Sequence, residues 1–131
     1  LNIDREFRNY VELSNKILEG LPVKWIEDFK NLYQITDKEV ASLLAVNTRT
    51  ITRLKKDPKH NLPLTMSDRL YRMFNVLAIA IKVFNNVEEA VTWLKTKQFG
   101  LDENVPLELL KTEAGAREVE SELMRIEYGI Y

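Results

Sequence analysis

One hundred and thirty-one residues, 45% hydrophobic and 30% charged, with only four glycines and four prolines, describe folded globular matter and exclude a disordered tail, a fibrous repeat and a flexible linker. The lack of cysteine removes disulfides and thiolate metal sites, and the single histidine, His60, removes a multi-histidine cage. The longest apolar run, Val76 to Ile81, falls far short of the roughly twenty residues of a membrane span, and no signal-peptide pattern opens the chain. The expected address is therefore cytoplasmic, with no metal and no cofactor. The net charge of −1 conceals a strong asymmetry: residues 1–44 carry −2, residues 45–85 carry +6 and residues 86–131 carry −5. A basic middle invites a polyanion such as nucleic acid, and an acidic C-terminal third repels one, so two surfaces with different partners are expected.

Helical spacing runs through the whole chain. Ile3, Phe7, Tyr10, Val11, Ser14, Ile17 and Leu18 recur at intervals of three and four, closed by Gly20 and Pro22. Val23, Trp25, Ile26, Phe29, Leu32 and Tyr33 repeat the pattern, with Pro22 placed for a first turn. Thr36 with Glu39 three residues on is a capping box, predicting a short helix to about Leu44. Thr48 is the expected cap of the next helix, which Asp57-Pro58 must end near Lys56. Ser67 is the expected cap of a long helix burying Leu70, Phe74, Leu77 and their neighbours through Phe84. Asn86 caps a helix expected to continue to about Gly100, Pro106 to Leu110 reads as one turn, and Thr112 caps a last helix that Gly129 breaks. No segment alternates with period two, so the fold class is all-α, a helix-turn-helix domain followed by a second helical domain.

Residues 37–56 fit the helix-turn-helix pattern, in which two short helices pack steeply across a tight turn. Val40, Ala41, Leu44, Val46, Ile51 and Leu54 fall where that motif buries apolar groups. Asn47, Thr48, Arg49, Thr52, Arg53 and Lys56 fall on the opposite face, where a recognition helix meets base edges and phosphates. Arg49 and Arg53 suit guanine; Thr48, Lys55, Lys56 and Lys59 suit phosphate. Ala45 stands where the turn commonly has Gly in a left-handed conformation, at a cost of about 1 kcal/mol. The plainer alternative is a charged but merely solvated helix face.

Catalysis finds no support. His60 lies in a Pro- and Lys-rich loop without a nucleophile signature, and Glu88-Glu89 and Asp102-Glu103 are neighbours in sequence, splayed about 100° apart on a helix and suited to helix starts. No glycine-rich phosphate loop is present, and the chain is not expected to be an enzyme. In the last helix Glu113/Arg117 and Glu122/Arg125 are spaced for ion pairs that support the helix, and the tail Tyr128-Gly129-Ile130-Tyr131 is aromatic where termini are usually polar. That tail suits a buried end or a partner.

The runs Pro106-Leu107-Glu108-Leu109-Leu110, Thr112-Glu113-Ala114-Gly115-Ala116-Arg117 and Arg125-Ile126-Glu127-Tyr128-Gly129 give residues 35–131 a resemblance to the Xre/MbcA/ParS antitoxins of RES-Xre toxin–antitoxin systems. The resemblance implies a dimeric cytoplasmic antitoxin that forms a hetero-oligomer with a RES-domain, NAD-consuming toxin, occludes its active site and binds operator DNA to repress its own operon. It implies toxin contacts at Arg117, Arg125, Glu127, Tyr128 and Tyr131, with Tyr128 standing where His is more usual. The domain organisation expected is an N-terminal helical segment, 1–34, with a possible role in dimerisation; a helix-turn-helix region, 35–65; and a toxin-binding domain, 66–131. Two other readings stay open: a stand-alone helix-turn-helix repressor, and a protein-interaction module that has lost DNA binding.

Overall fold

The computed structural model describes residues 10–129, so Ile3, Phe7, Ile130 and Tyr131 lie outside the described residues. The described residues hold eight α-helices and one 3-10 turn, without a named strand: α1 (Tyr10–Glu19), α2 (Lys24–Tyr33), α3 (Asp37–Leu43), α4 (Thr48–Lys55), α5 (Leu64–Phe84), α6 (Val87–Lys95), the turn Phe99–Leu101, α7 (Pro106–Leu109) and α8 (Glu113–Tyr128). The chain forms two compact units that divide between Tyr71 and Arg72, so α5 contributes its first part to one and the rest to the other. No described helix is long and apolar enough to cross a membrane.

Local chemistry sets most of the boundaries. Gly20, at φ +95°, ends α1 by donating its N–H to the carbonyls of Lys16 and Ile17. Thr36 and Glu39 form the expected capping box on α3, with the Glu39 N–H donating to Thr36 Oγ1 at 3.1 Å. Asn86 and Thr112 cap α6 and α8 through the N–H groups of Glu89 and Gly115. Gly129, left-handed at φ +64°, closes α8.

Four expectations are corrected. Helix α4 is capped by Asn47 rather than Thr48: Asn47 Oδ1 accepts from the Thr50 N–H at 2.8 Å and from its hydroxyl at 2.9 Å. Ser67 does not cap α5, which starts three residues earlier at Leu64. It is fully buried, its hydroxyl donating to the Leu62 carbonyl at 3.2 Å and accepting the Leu21 N–H at 2.9 Å, which ties the start of α5 to the α1–α2 connection. Helix α6 stops at Lys95, and residues 96–105 fold as a hydrogen-bonded loop around the 3-10 turn instead of continuing α6. Within that loop Asp102 and Glu103 are left-handed turn residues, φ 54° and 62°, not helix-start charges.

The unit that holds α1 to α4 is built on fully buried Ile26, Phe29, Tyr33, Val40, Leu44 and Ile51, with the Phe29 and Tyr33 rings 4.7 Å apart. In the other unit Ala116, Val119 and Leu123 of α8 are buried along with Leu94 of α6 and Leu101, Leu107 and Leu110. Arg72 secures the start of α8, donating to the carbonyls of Leu110 and Lys111 and pairing with Glu113 at 3.3 Å. Burial of side chains of this kind contributes about 1.5–3 kcal/mol each, which is what holds such short helices in place.

Candidate nucleic-acid and partner interfaces

Helices α3 and α4 are joined by Leu44, Ala45, Val46 and Asn47. Ala45 is left-handed, φ +57°, as the helix-turn-helix pattern requires of that position. The Val46 N–H donates to the Ala41 carbonyl at 2.9 Å, and Arg69 of α5 donates to the Leu44 carbonyl at 3.1 Å, so the turn is clamped from both sides. Ala41 and Ile51 are buried at the approach of the two helices.

Thr48, Arg49, Thr52, Arg53 and Lys56 of the expected DNA face are all exposed, and so is Lys59 in the following loop. Asn47 is exposed too, but its carboxamide oxygen serves the helix end, which leaves only its NH2 group to donate outward. Lys55 is different. Its ammonium lies 3.3 Å from both carboxylate oxygens of Asp37 and 3.4 Å from Glu27, while Lys30 pairs with Asp37 at 2.6 Å and with Glu27 at 3.5 Å. Two lysines and two acids thus close a ring that ties α4 to α2 and to the first residue of α3. The hydrogen bond from Lys30, followed by that from Lys55, holds the Asp37 carboxyl below its ordinary value, and the same Lys30–Asp37 bond holds Lys30 above its own. The basic middle of the sequence is therefore not all presented outward: Lys55, Arg69 and Arg72 are engaged within their units.

His60 is exposed, with Nε2 2.7 Å from Asp57 Oδ2, as befits a loop residue.

On α8, at about 100° per residue, Arg117 and Tyr128 lie within about 20° of each other, Arg125 stands about 80° to one side of Arg117 and Glu127 about 80° to the other. The expected contacts therefore do not form one strip. Arg117 and Tyr128 share the centre of the exposed face, and Met124, which the sequence reading passed over, lies between them. Tyr128 is 71% exposed and Met124 42%. Their spacing, four residues apart and opposite the buried Val119 and Leu123, was available in the sequence as an apolar pair on the wrong face of an amphipathic helix. Arg117 pairs with Glu113 at 3.4 Å, as its spacing predicts. Glu122 pairs with Arg125 as its spacing predicts, its Oε1 accepting from Arg125 Nε at 2.8 Å; it is 3% exposed, so the half-buried Arg125 is oriented by a buried carboxylate. Glu120 is held above its ordinary pKa, first by burial and then by the neighbouring Glu113.

Two family models match the chain, one to each region: an antitoxin Xre-like helix-turn-helix domain over residues 12–75, and the antitoxin Xre/MbcA/ParS C-terminal toxin-binding domain over residues 80–129. The first match reaches back to include α1 and α2. Among curated relatives, the antitoxin Xre of Photorhabdus laumondii is 30% identical over 118 residues, covering 88% of this chain and 79% of the relative. That of Yersinia enterocolitica is 29% identical over 120 residues, covering 91% and 80%, and that of Pseudomonas putida 27% over 126 residues, covering 95% and 76%. Residues matched as toxin-binding include α8 and the loop before α7; residues matched as helix-turn-helix include the clamped turn and the exposed face of α4. The chain belongs to the Xre/MbcA/ParS-type antitoxins, non-enzymatic proteins of toxin–antitoxin systems in which a DNA-binding helix-turn-helix domain is followed by a toxin-binding domain.

Proposed function

We propose that this chain neutralises a RES-domain, NAD-consuming toxin by covering the mouth of its active site with the exposed face and C-terminal end of α8, and that it represses its own operon as a two-fold dimer. The observation that carries the reading is the division of chemistry between the two regions. Helix α4 and its C-cap expose Arg49, Arg53 and Lys56, cations suited to bases and phosphates, whereas α8 exposes Tyr128 and Met124 among Glu113, Arg117, Glu118 and Glu127. An acidic, aromatic surface is repelled by DNA and is suited to a protein pocket that is basic because it binds a phosphate-bearing cofactor.

On the DNA side, Arg49 and Arg53 read bases, with Asn47, Thr48, Thr52, Lys56 and Lys59 fixing register on phosphates; Lys55 acts through its ring of ion pairs rather than on a phosphate. On the toxin side, Arg117, Arg125, Glu127, Tyr128 and Tyr131 make contact, Tyr131 lying outside the described residues. Residues 1–34 contribute to the dimer, and a two-fold dimer requires a pseudo-palindromic operator with half-sites about one helical turn apart.

Co-expression of the full chain with the RES-type reading frame expected beside its gene tests this reading, with growth and cellular NAD followed in parallel. Rescue by the full chain, and its loss on deleting residues 111–131 or on Tyr128→Ala, is the expected result. Continued NAD depletion and growth arrest in the presence of the full chain overturns it and leaves a stand-alone repressor.

A further inference from the structure

The loop between α6 and α7 carries the most exposed large hydrophobic side chain among the described residues: Phe99, at 89%. A single exposed apolar residue is ordinary on a protein surface. The loop beneath this one is not ordinary. The Gln98 N–H donates to the Asn104 carbonyl at 3.1 Å, the Glu103 N–H returns to the Gln98 carbonyl at 3.0 Å, and the Asn104 side chain donates to the Leu101 carbonyl at 2.9 Å. The Gln98 side chain is itself tied to the carbonyls of Trp93 and Thr96. Two consecutive residues with side chains, Asp102 and Glu103, are held in left-handed conformations. Strain of that kind persists only where the surroundings over-determine it, and it gathers at functional loops.

The loop is also fastened to α8. A Cβ at position 100 would collide with the Glu122 carboxylate, so Gly100 is what lets the loop backbone close over that buried acid. Glu122 in turn grips Arg125, which lies about 60° around α8 from Glu122 and about 60° from Tyr128. Through Glu122 the loop backbone at Gly100 is thus fastened to the flank of α8 that carries Arg125, with Tyr128 about 60° further round.

We propose that Phe99 is an aromatic anchor of the toxin interface: a toxin that covers Arg125 and Tyr128 also covers loop 98–104 and receives the Phe99 ring in an apolar pocket. Glu122 holds Arg125 in place on α8. This rests on the assignment of the α8 face to the toxin. The occupant is chosen by the position of the loop: residues 98–104 lie within the segment 80–129 that matches the toxin-binding domain. Because the loop is already ordered, burying the ring costs little conformational entropy, the usual condition for a hot spot.

The test uses the full-length chain and the purified RES-domain protein encoded beside it, with affinity measured by calorimetry at two salt concentrations for the wild type, Phe99→Ala, Phe99→Leu and Tyr128→Ala. Phe99→Ala is expected to weaken the complex at least tenfold with the wild-type salt dependence, Phe99→Leu to recover part of that loss, and both to melt as the wild type does. Affinity of Phe99→Ala within twofold of wild type, while Tyr128→Ala is weakened, overturns the proposal and leaves the α8 assignment standing. Absence of any complex with the wild type removes both. A change in the mass of the free chain on Phe99→Ala assigns the ring to self-association and also overturns the proposal.

Discussion

The helix-turn-helix unit and the toxin-binding unit solve the same problem, presenting a specific face on short helices, in opposite ways. In the first, the face is a continuous polar stripe on one helix, and the interior clamps hold that helix still: the Ala45 turn, Arg69 on the Leu44 carbonyl, and Lys55 between Asp37 and Glu27. In the second, the proposed face is assembled from a helix and a loop that are distant in sequence, and a buried acid, Glu122, joins them. A surface that reads a repeating phosphate lattice can be carried by one element; a surface that fits one protein pocket needs several.

The largest effect that would sharpen the contrast comes from Gly100→Ala. Its Cβ meets the end of the buried Glu122 side chain, which must shift and loosen its hold on Arg125, so the variant should lose about 1–3 kcal/mol of stability, visible as a lower thermal midpoint. Adding Glu122→Ala should recover part of the loss; strict additivity of the two changes would show that loop and helix are not coupled. In the other unit, Arg53→Ala should cost about 1–3 kcal/mol at the operator and relax specificity at one base pair without lowering stability.

Two lysines that are neighbours in sequence then separate. Lys56→Ala should reduce the slope of log affinity against log salt by about one, whereas Lys55→Met should leave that slope unchanged, because Lys55 is engaged by Asp37 and Glu27. Equal slopes for the two variants would break the distinction between presented and engaged cations. Ala45→Gly should stabilise the first unit by about 0.5–1 kcal/mol, since it relieves a left-handed Ala at the expense of unfolded-state entropy.

The smallest effects are in the pH dependence, where the two units differ in sign. The lowered Asp37 contributes stability that is present above its unfolded value and is lost as pH falls through its folded one. The raised Glu120 does the reverse: ionised, it weakens the fold at neutral pH, and acidification through its raised pKa relieves that cost. Asp37→Asn should therefore flatten the acid limb of a stability profile, and Glu120→Gln should raise stability slightly near neutrality and hardly at all at low pH. Both are read by chemical unfolding across a pH series.

Helix positions, the capping box at Thr36, the caps at Asn86 and Thr112 and the left-handed strain at Ala45 were all legible in the sequence, because each depends on neighbours within three or four residues. The cap of α4 was misplaced by one residue because Asn47 and Thr48 are both competent caps and only the backbone decides which is extended. Ser67 was misread for a different reason. A serine before an apolar run looks like a cap, and its burial against Leu21 and Leu62 is set by chain that is remote in sequence.

By itself, then, the sequence determined the helices, the recognition turn and the separation of a basic from an acidic region, all properties of local spacing and composition. The tertiary structure decided which charges are presented and which are engaged: Lys55 and Arg69 inside the first unit, Glu122 beneath Arg125 in the second. It also decided that Phe99 stands out on a fastened loop rather than in a continuation of α6. The physical reason is range. Propensity, capping and periodicity act over one or two turns, whereas the fate of a charge depends on which distant backbone and side chains remove it from water.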